Sequence, residues 1–96
     1  MSTYISLCNW SQHGIENVKD SPARLDAARK AYKAAGADLK QFYMTLGRYD
    51  FVVLTEAPDE ATAAKAALAI GRAGNARTET FRAFTEDEYR KLLGSV

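Results

Sequence analysis

The chain has 96 residues, a length that fits one small domain and leaves no room for a second. Its 13 Lys and Arg balance 12 Asp and Glu to a net charge of +1, so no basic excess exists for holding a nucleic-acid backbone or an anionic membrane. A hydrophobic fraction of 47% is ordinary for a globular domain, while a single cysteine excludes an internal disulfide and a single histidine cannot build a zinc site alone.

Alternating polarity and helix-capping residues divide the chain into strands and helices. Ser21, which precedes a proline, is a helix-start signal, and Asp59 is the expected cap of a later helix. A capping box from Thr85 to Glu88 starts a C-terminal helix. The predicted elements are a strand over 3–10, a helix over 22–35, strands over 39–46 and 49–56 joined by a tight link at Gly47, a helix over 61–72, a strand over 76–84 and a helix to about 93.

The order β-α-β-β-α-β-α contains split β-α-β units and predicts a ferredoxin-like α+β sandwich, in one domain over 1–96. Four antiparallel strands form one sheet, two helices cover one of its faces, and a short C-terminal helix follows. The second face of the sheet is left without helices, which makes its composition the main clue to function.

Alternation along the strands sorts their side chains into two sets, one for each face of the sheet. We assign the aliphatic set to the face under the helices; it contains Ile5, Leu7, Val52 and Leu54. The opposite set is rich in aromatic residues and is expected on the open face; it contains Tyr4, Cys8, Trp10, Tyr43, Tyr49, Phe51 and Val53.

An open face this apolar exceeds what monomers usually expose. Burying about 800 Å² of it would contribute on the order of 10–20 kcal/mol before the cost of association. We therefore expect a homodimer joined through the two sheets, with a trimer or a higher oligomer as the alternative. Two facing sheets would enclose a barrel-like interior between them.

The barrel-like interior predicts a small-molecule site, because an apolar cavity with a few polar groups is typical of ligand pockets. Trp10, Tyr43 and Tyr49 are its expected walls, and Arg77 is the expected anchor for a carboxylate or a phosphate. The alternative interpretation is that the aromatic residues only fill the interface and that Arg77 forms a salt bridge with Glu79.

Two residues are candidates for acid–base chemistry. His13 follows the first strand and is a candidate proton carrier, because imidazole is the side chain suited to that role at physiological pH, with an exposed loop histidine as the alternative. Asp50 is a candidate base or ligand anchor, with a turn-forming aspartate as the alternative. The sequence has no metal-ligand spacing and no phosphate loop, so we expect no metal and no cofactor.

Gly47, Tyr49 and Asp50, with Arg48 between the first two, form the motif that names a known family. Together with three other stretches, this motif resembles the GYD-domain family over nearly the whole chain; the matching stretches are 4–7, 14–24, 47–53 and 77–88. The resemblance implies a ferredoxin-like fold related to the dimeric α+β barrels. That wider group includes small monooxygenases, haem-degrading enzymes, lactone isomerases and dye-decolourising peroxidases.

The GYD family has no settled function, so the resemblance implies a fold and a candidate cavity but no reaction. The haem-degrading relatives use a histidine ligand on a helix, whereas His13 is expected in a loop. No catalytic residue is therefore carried over from the wider group to this chain.

The sequence leaves two kinds of function open. One is a homo-oligomer that binds a small molecule, a class that includes cofactor-independent monooxygenases and isomerases. The other is a non-enzymatic regulatory or assembly module with clefts between its subunits. No stretch has the pattern of a signal peptide or of a membrane span, so we expect a cytoplasmic protein without membrane or nucleic-acid partners.

Overall fold

The computed structural model describes all residues from Met1 to Val96 and confirms the predicted α+β class. Its elements are β1 (Ser2–Trp10), α1 (Gln12–Glu16), a 3-10 turn (Val18–Asp20), α2 (Ser21–Ala34), β2 (Asp38–Met44), β3 (Phe51–Ala57), α3 (Glu60–Ala73), β4 (Ala76–Ala83) and α4 (Glu86–Leu93). The strands form one antiparallel sheet in the order β2-β3-β1-β4. Helices α2 and α3 pack on the same face of it, as in a ferredoxin-like fold.

All three predicted helix starts are confirmed, and two of them have the predicted cap. The Asp59 carboxylate accepts a hydrogen bond from the Thr62 amide at the start of α3, and the predicted capping box opens α4. The capping role of Ser21 is the part that was wrong, because Ser21 is the first residue of α2 and does not precede it. The 3-10 turn runs directly into α2, so the Ser21 amide already donates to the carbonyl of Val18 and a side-chain cap is not required.

The link between β2 and β3 is wider than the predicted two-residue connection. The Thr45 amide donates to the Asp50 carbonyl over 2.9 Å, and the Thr45 hydroxyl donates to the Tyr49 carbonyl over 2.6 Å. Gly47 lies inside this loop with a φ of 104°, in the left-handed region that favours glycine. The motif that resembles the GYD family therefore forms the hairpin loop and the entry to β3.

The helices cover the opposite face of the sheet from the one predicted. Tyr4, Cys8 and Val53, which were expected in the open, belong to the buried core beneath α2 and α3. The set predicted to lie under the helices alternates with these residues and is only half-buried; it contains Ile5, Leu7, Val52 and Leu54. The predicted assignment of faces was therefore inverted for β1 and β3, whereas Tyr43 of β2 lies away from the helices as predicted.

The composition of the helices explains this inversion. Helix α3 contains seven alanines among its 14 residues, and small side chains leave space between a helix and the sheet. Large side chains from the sheet are then needed to fill the layer at the density of a protein interior. Because both alternating sets are apolar, polarity alone does not choose between them, whereas side-chain volume favours the aromatic set beneath the alanines.

Candidate functional site

Helices α2 and α3 stand on either side of a cleft above the sheet. The cleft has a volume of about 730 Å³, within the range of roughly 300–1,000 Å³ that small-ligand pockets occupy. Eighteen of its 25 lining residues are hydrophobic. The cleft lies inside one chain, between its own helices and its own sheet, and not between two copies.

A row of three aromatic rings crosses three adjacent strands beneath this cleft. The rings of Trp10 on β1 and Phe51 on β3 have centroids 5.3 Å apart, and Phe51 stacks on Phe42 of β2 at the same distance. All three residues line the cleft. The row gives the cleft a continuous aromatic floor along the direction of strand pairing.

The thiol and hydroxyl groups that line the cleft are uncharged at neutral pH. Cys8 is 1% exposed, and burial raises the pKa of its thiol from 9.0 to about 12. Burial also raises the pKa of the Tyr32 hydroxyl, and the electrostatic effect of the neighbouring Cys8 is a second, smaller cause of this increase. The Ser6 hydroxyl is paired with that of Thr80 over 2.8 Å. Because only a thiolate is a strong nucleophile, Cys8 is not activated for covalent chemistry.

The buried thiol makes stability depend on pH in the alkaline range. The unfolded chain releases the Cys8 proton near pH 9.0 and the folded chain only near pH 12, so the contribution of Cys8 is complete below pH 9.0 and is lost as pH rises above it. We expect the free energy of unfolding to fall by about 1.4 kcal/mol per pH unit in this window. Urea titrations at about pH 8, about pH 9.5 and about pH 10.5 measure the slope.

The matched control for this slope is Cys8→Ala, which removes the thiol and keeps the tyrosines that titrate nearby. The difference in stability between the two proteins should shrink steadily as pH rises. A difference that stays constant from about pH 8 to about pH 10.5 would show that the thiol ionises as easily in the folded chain as in the unfolded one.

The charged residues that line the cleft are all cationic. Arg24 on α2 and Lys65 on α3 are the two, and no Asp or Glu lines the cleft. The Arg24 guanidinium donates to the backbone carbonyls of Asn17, at 3.0 Å, and Gly14, at 3.3 Å. Neither cation forms a salt bridge within the chain. The cleft therefore combines an apolar interior with two cations that form no salt bridge, although Lys65 lies near enough to Asp59 at the start of α3 to help lower the pKa of that carboxyl.

The four residues predicted to bind a ligand do not come together. Trp10 lines the cleft, whereas Tyr43 lies on the sheet face away from the helices and is 51% exposed. The Tyr49 hydroxyl reaches across β1 and donates to the Glu79 carboxylate over 2.9 Å, and this hydrogen bond raises the pKa of Tyr49. Arg77 is exposed on β4 and forms no salt bridge.

The two acid–base candidates also lie outside the cleft. Asp50 accepts a hydrogen bond from the Trp10 amide over 3.0 Å, and its own amide donates to the Cys8 carbonyl over 2.9 Å, so it ties the start of β3 to β1. His13 was expected in a loop but lies exposed on the short helix α1. No group of three or more His, Cys, Asp or Glu residues is arranged to hold a metal ion.

The bare sheet face, away from the helices, carries a continuous apolar patch. Ile5 is paired with Leu54 on one side and with Phe81 on the other, and Leu7 is paired with Val52. The patch crosses all four strands, because Tyr43 lies opposite Val52 and is exposed, as is Phe81. We call this surface the bare sheet face; it consists of Ile5, Leu7, Tyr43, Val52, Leu54 and Phe81.

Helix α4 presents a second apolar surface that nothing in the chain covers. Its residues are all exposed except Glu88, which lies beside Arg82. Tyr89, Leu92 and Leu93 follow one another at the spacing of one helix face, and each is about half exposed. We call this surface, formed by Tyr89, Leu92 and Leu93, the α4 stripe.

Sequence reasoning missed both the cleft and the α4 stripe. The apolar spacing at 89, 92 and 93 was readable as an amphipathic helix, and the alanines of α3 signalled that large sheet residues must lie below them. The gap between α2 and α3 has no local sequence signal, because it depends on how far apart two helices sit on one sheet. No helix in the structure has the length and apolar character to cross a membrane.

Comparisons with known proteins extend these observations. The sequence matches the model of the GYD domain over residues 4–93. It is 33% identical over 84 residues to a "Glutamine synthetase and cystathionine beta-lyase binding protein" from Thermus thermophilus, a match that covers 86% of this chain and 88% of that protein. The crystal structure of TTHA0845 from Thermus thermophilus is similar in fold, with a TM-score of 0.54 and 23% identity over 88% of this chain and 95% of that one.

Proposed function

Because the chain belongs to the GYD domain family, we propose that it is a non-catalytic protein-binding module and that its partners are metabolic enzymes. The relative from Thermus thermophilus is named as a binding protein for glutamine synthetase and cystathionine beta-lyase. We propose the same two enzymes of the host organism as partners of this chain. The observation that carries this function is the α4 stripe, an amphipathic helix face without a partner in the chain.

The geometry of the α4 stripe fits the way a helix docks in a groove of a partner protein. Leu92 and Leu93 are about half exposed on a helix that begins with a complete capping box, so the helix is formed before any partner arrives. Binding to a partner then requires little loss of backbone entropy. Apolar side chains at this spacing are the usual anchors of helix-in-groove recognition.

Binding is favoured over catalysis by the placement of the polar residues. His13 and Asp50 do not line the cleft, and Asp50 already bonds the Trp10 amide. The Cys8 thiol is protonated at neutral pH, because burial raises its pKa to about 12. The cleft therefore brings together no acid, base or nucleophile in a reactive state.

We further propose that the bare sheet face pairs with the same face of a second copy, which retains the predicted homodimer on a different set of residues. The rim of this face carries both signs of charge, with Lys40 and Glu56 at 3.7 Å and with Arg77 near Glu79 on β4. A surface that contains both signs can meet its own copy around a two-fold axis without like-charge repulsion. Of the predicted aromatic walls of a ligand cavity between the copies, Trp10 lies under the helices, whereas Tyr43 belongs to the bare sheet face.

The enzyme partners are tested by immobilising the host glutamine synthetase and cystathionine beta-lyase and measuring binding of the full chain by biolayer interferometry. We expect at least one enzyme to bind, and we expect Leu92→Lys to weaken that binding by about tenfold or more, since a lysine in an apolar contact removes a central anchor. The matched control is Leu68→Lys on α3, a leucine that is 73% exposed and lies outside the α4 stripe.

The result that supports the proposal is a loss of affinity in Leu92→Lys with unchanged affinity in Leu68→Lys. Far-ultraviolet circular dichroism of both variants checks that the helices remain formed. Equal losses in the two variants, or no binding of either enzyme to the unaltered chain, would remove the α4 stripe as the binding surface.

A further inference from the structure

We propose that the cleft between α2, α3 and the sheet binds a small amphiphilic molecule with a flat apolar body and one anionic group. This site is distinct from the α4 stripe and from the bare sheet face, so it is independent of the proposed protein partners. It would make the module responsive to a metabolite of that chemical class.

The apolar body of the ligand is inferred from the floor of the cleft. Phe51 lies between Trp10 and Phe42, with centroid distances of 5.3 Å to each ring and tilts of 41° and 29° between the planes. A flat ring or a ring system packs on such a row with offset-stacked or tilted geometry. The volume of about 730 Å³ is much larger than a few water molecules need, and most of its lining offers them no hydrogen bond.

The walls of the cleft provide space for this apolar body and few polar groups to bind it. Both helices contribute mainly alanines, including Ala28, Ala31, Ala66 and Ala69, and the larger apolar side chains Leu25 and Ile70 complete the lining from the same two helices. Such walls discriminate by shape and leave polar recognition to a few groups at the edge.

The anionic group is inferred from the charges that line the cleft. Arg24 and Lys65 are its only charged residues, one from each helix, and no acidic side chain among the lining residues neutralises them. The Arg24 guanidinium is oriented by two backbone carbonyls, which leave its positive charge in place and reduce the entropy lost on binding an anion. A cationic ligand would be repelled by both residues, and a neutral one would gain nothing from them.

The test uses two fluorescent probes that differ in charge: 1-anilinonaphthalene-8-sulfonate, which is flat and anionic, and N-phenyl-1-naphthylamine, which is its neutral analogue. We expect the unaltered protein to bind the anionic probe about tenfold more tightly than the neutral one. The double variant Arg24→Gln with Lys65→Gln should remove this difference while it keeps the binding of the neutral probe.

Two further variants show where the probes bind. Ala66→Phe fills the cleft from within, and Ala31→Trp fills it from an exposed position on α2 that does not endanger the fold. Either variant should weaken the binding of both probes tenfold or more. Leu46→Lys, at a leucine that is 90% exposed in the loop between β2 and β3 and does not line the cleft, should leave both affinities unchanged.

The proposal fails if both probes keep their affinity in Ala31→Trp, or if Leu46→Lys abolishes their binding, because the probes would then occupy another surface. It also fails in its charge assignment if the Arg24 and Lys65 double variant binds the anionic probe as tightly as the unaltered protein. None of these results depends on whether an enzyme binds the α4 stripe.

Discussion

Leu54→Lys is expected to convert the proposed homodimer to a monomer at micromolar concentration. Leu54 lies at the centre of the bare sheet face, directly opposite Ile5 on β1 and Gln41 on β2. In a two-fold interface each substitution occurs twice, so two lysines would enter one apolar contact. We expect the dimer dissociation constant to rise at least 100-fold, which corresponds to about 2.7 kcal/mol.

Sedimentation velocity across a concentration series measures this change, with Leu68→Lys as the control that adds the same charge to α3. The control should sediment as the unaltered dimer does. A monomer for the unaltered chain at micromolar concentration, or an unchanged dimer for Leu54→Lys, would show that the bare sheet face does not pair with its own copy.

The thin core of the single chain makes this pairing energetically reasonable. Only 11 of 96 residues are buried, and seven of them form the core between the sheet and the helices. A chain of this size buries about 60–65% of its unfolded surface, so its stability margin is small. Association through the bare sheet face would add a second apolar layer to the first and would stabilise the folded chain by mass action.

The element order was predictable because its signals are local. The Asp59 cap and the capping box at Thr85 depend on residues a few positions apart, and the structure contains both. The left-handed φ of Gly36 likewise marks the end of the turn after α2, where a helix was predicted to end. Hydrogen bonds between residues that are close in sequence therefore determine most of the order of the elements.

The faces of the sheet were not predictable from polarity alone. Ile5 and Tyr4 are neighbours in an alternating strand, and both are apolar enough to be buried. Which of them lies under the helices is decided by the volume that α2 and α3 leave open, a property of three separate elements. The same property decided the candidate site: Trp10 was predicted to line a cavity between two copies, whereas the cleft that it lines lies under the helices of its own chain.

Gly14→Ala is expected to lower the free energy of unfolding by about 2–3 kcal/mol. Gly14 is buried in α1, and a methyl group there would overlap the backbone carbonyl of Asn75 in the loop between α3 and β4. The same carbonyl accepts a hydrogen bond from the Ser11 amide over 3.0 Å, and the Ser11 hydroxyl donates to the Gly74 carbonyl over 2.6 Å. Moving the loop to admit the methyl group would strain both hydrogen bonds.

Gly71→Ala is the matched control, because it makes the same chemical change in α3, where an added methyl group meets no atom within 4 Å. Alanine favours the helix over glycine, so this variant should gain about 0.5–1 kcal/mol. Thermal unfolding should then show a lower melting temperature for Gly14→Ala and a higher one for Gly71→Ala, with a shift of about 4–8 °C per kcal/mol for a domain of this size. Because the two stability changes have opposite signs, the comparison isolates the contact with Asn75 from any general effect of replacing glycine. A Gly14→Ala protein as stable as the unaltered one would mean that α1 does not lie against this loop.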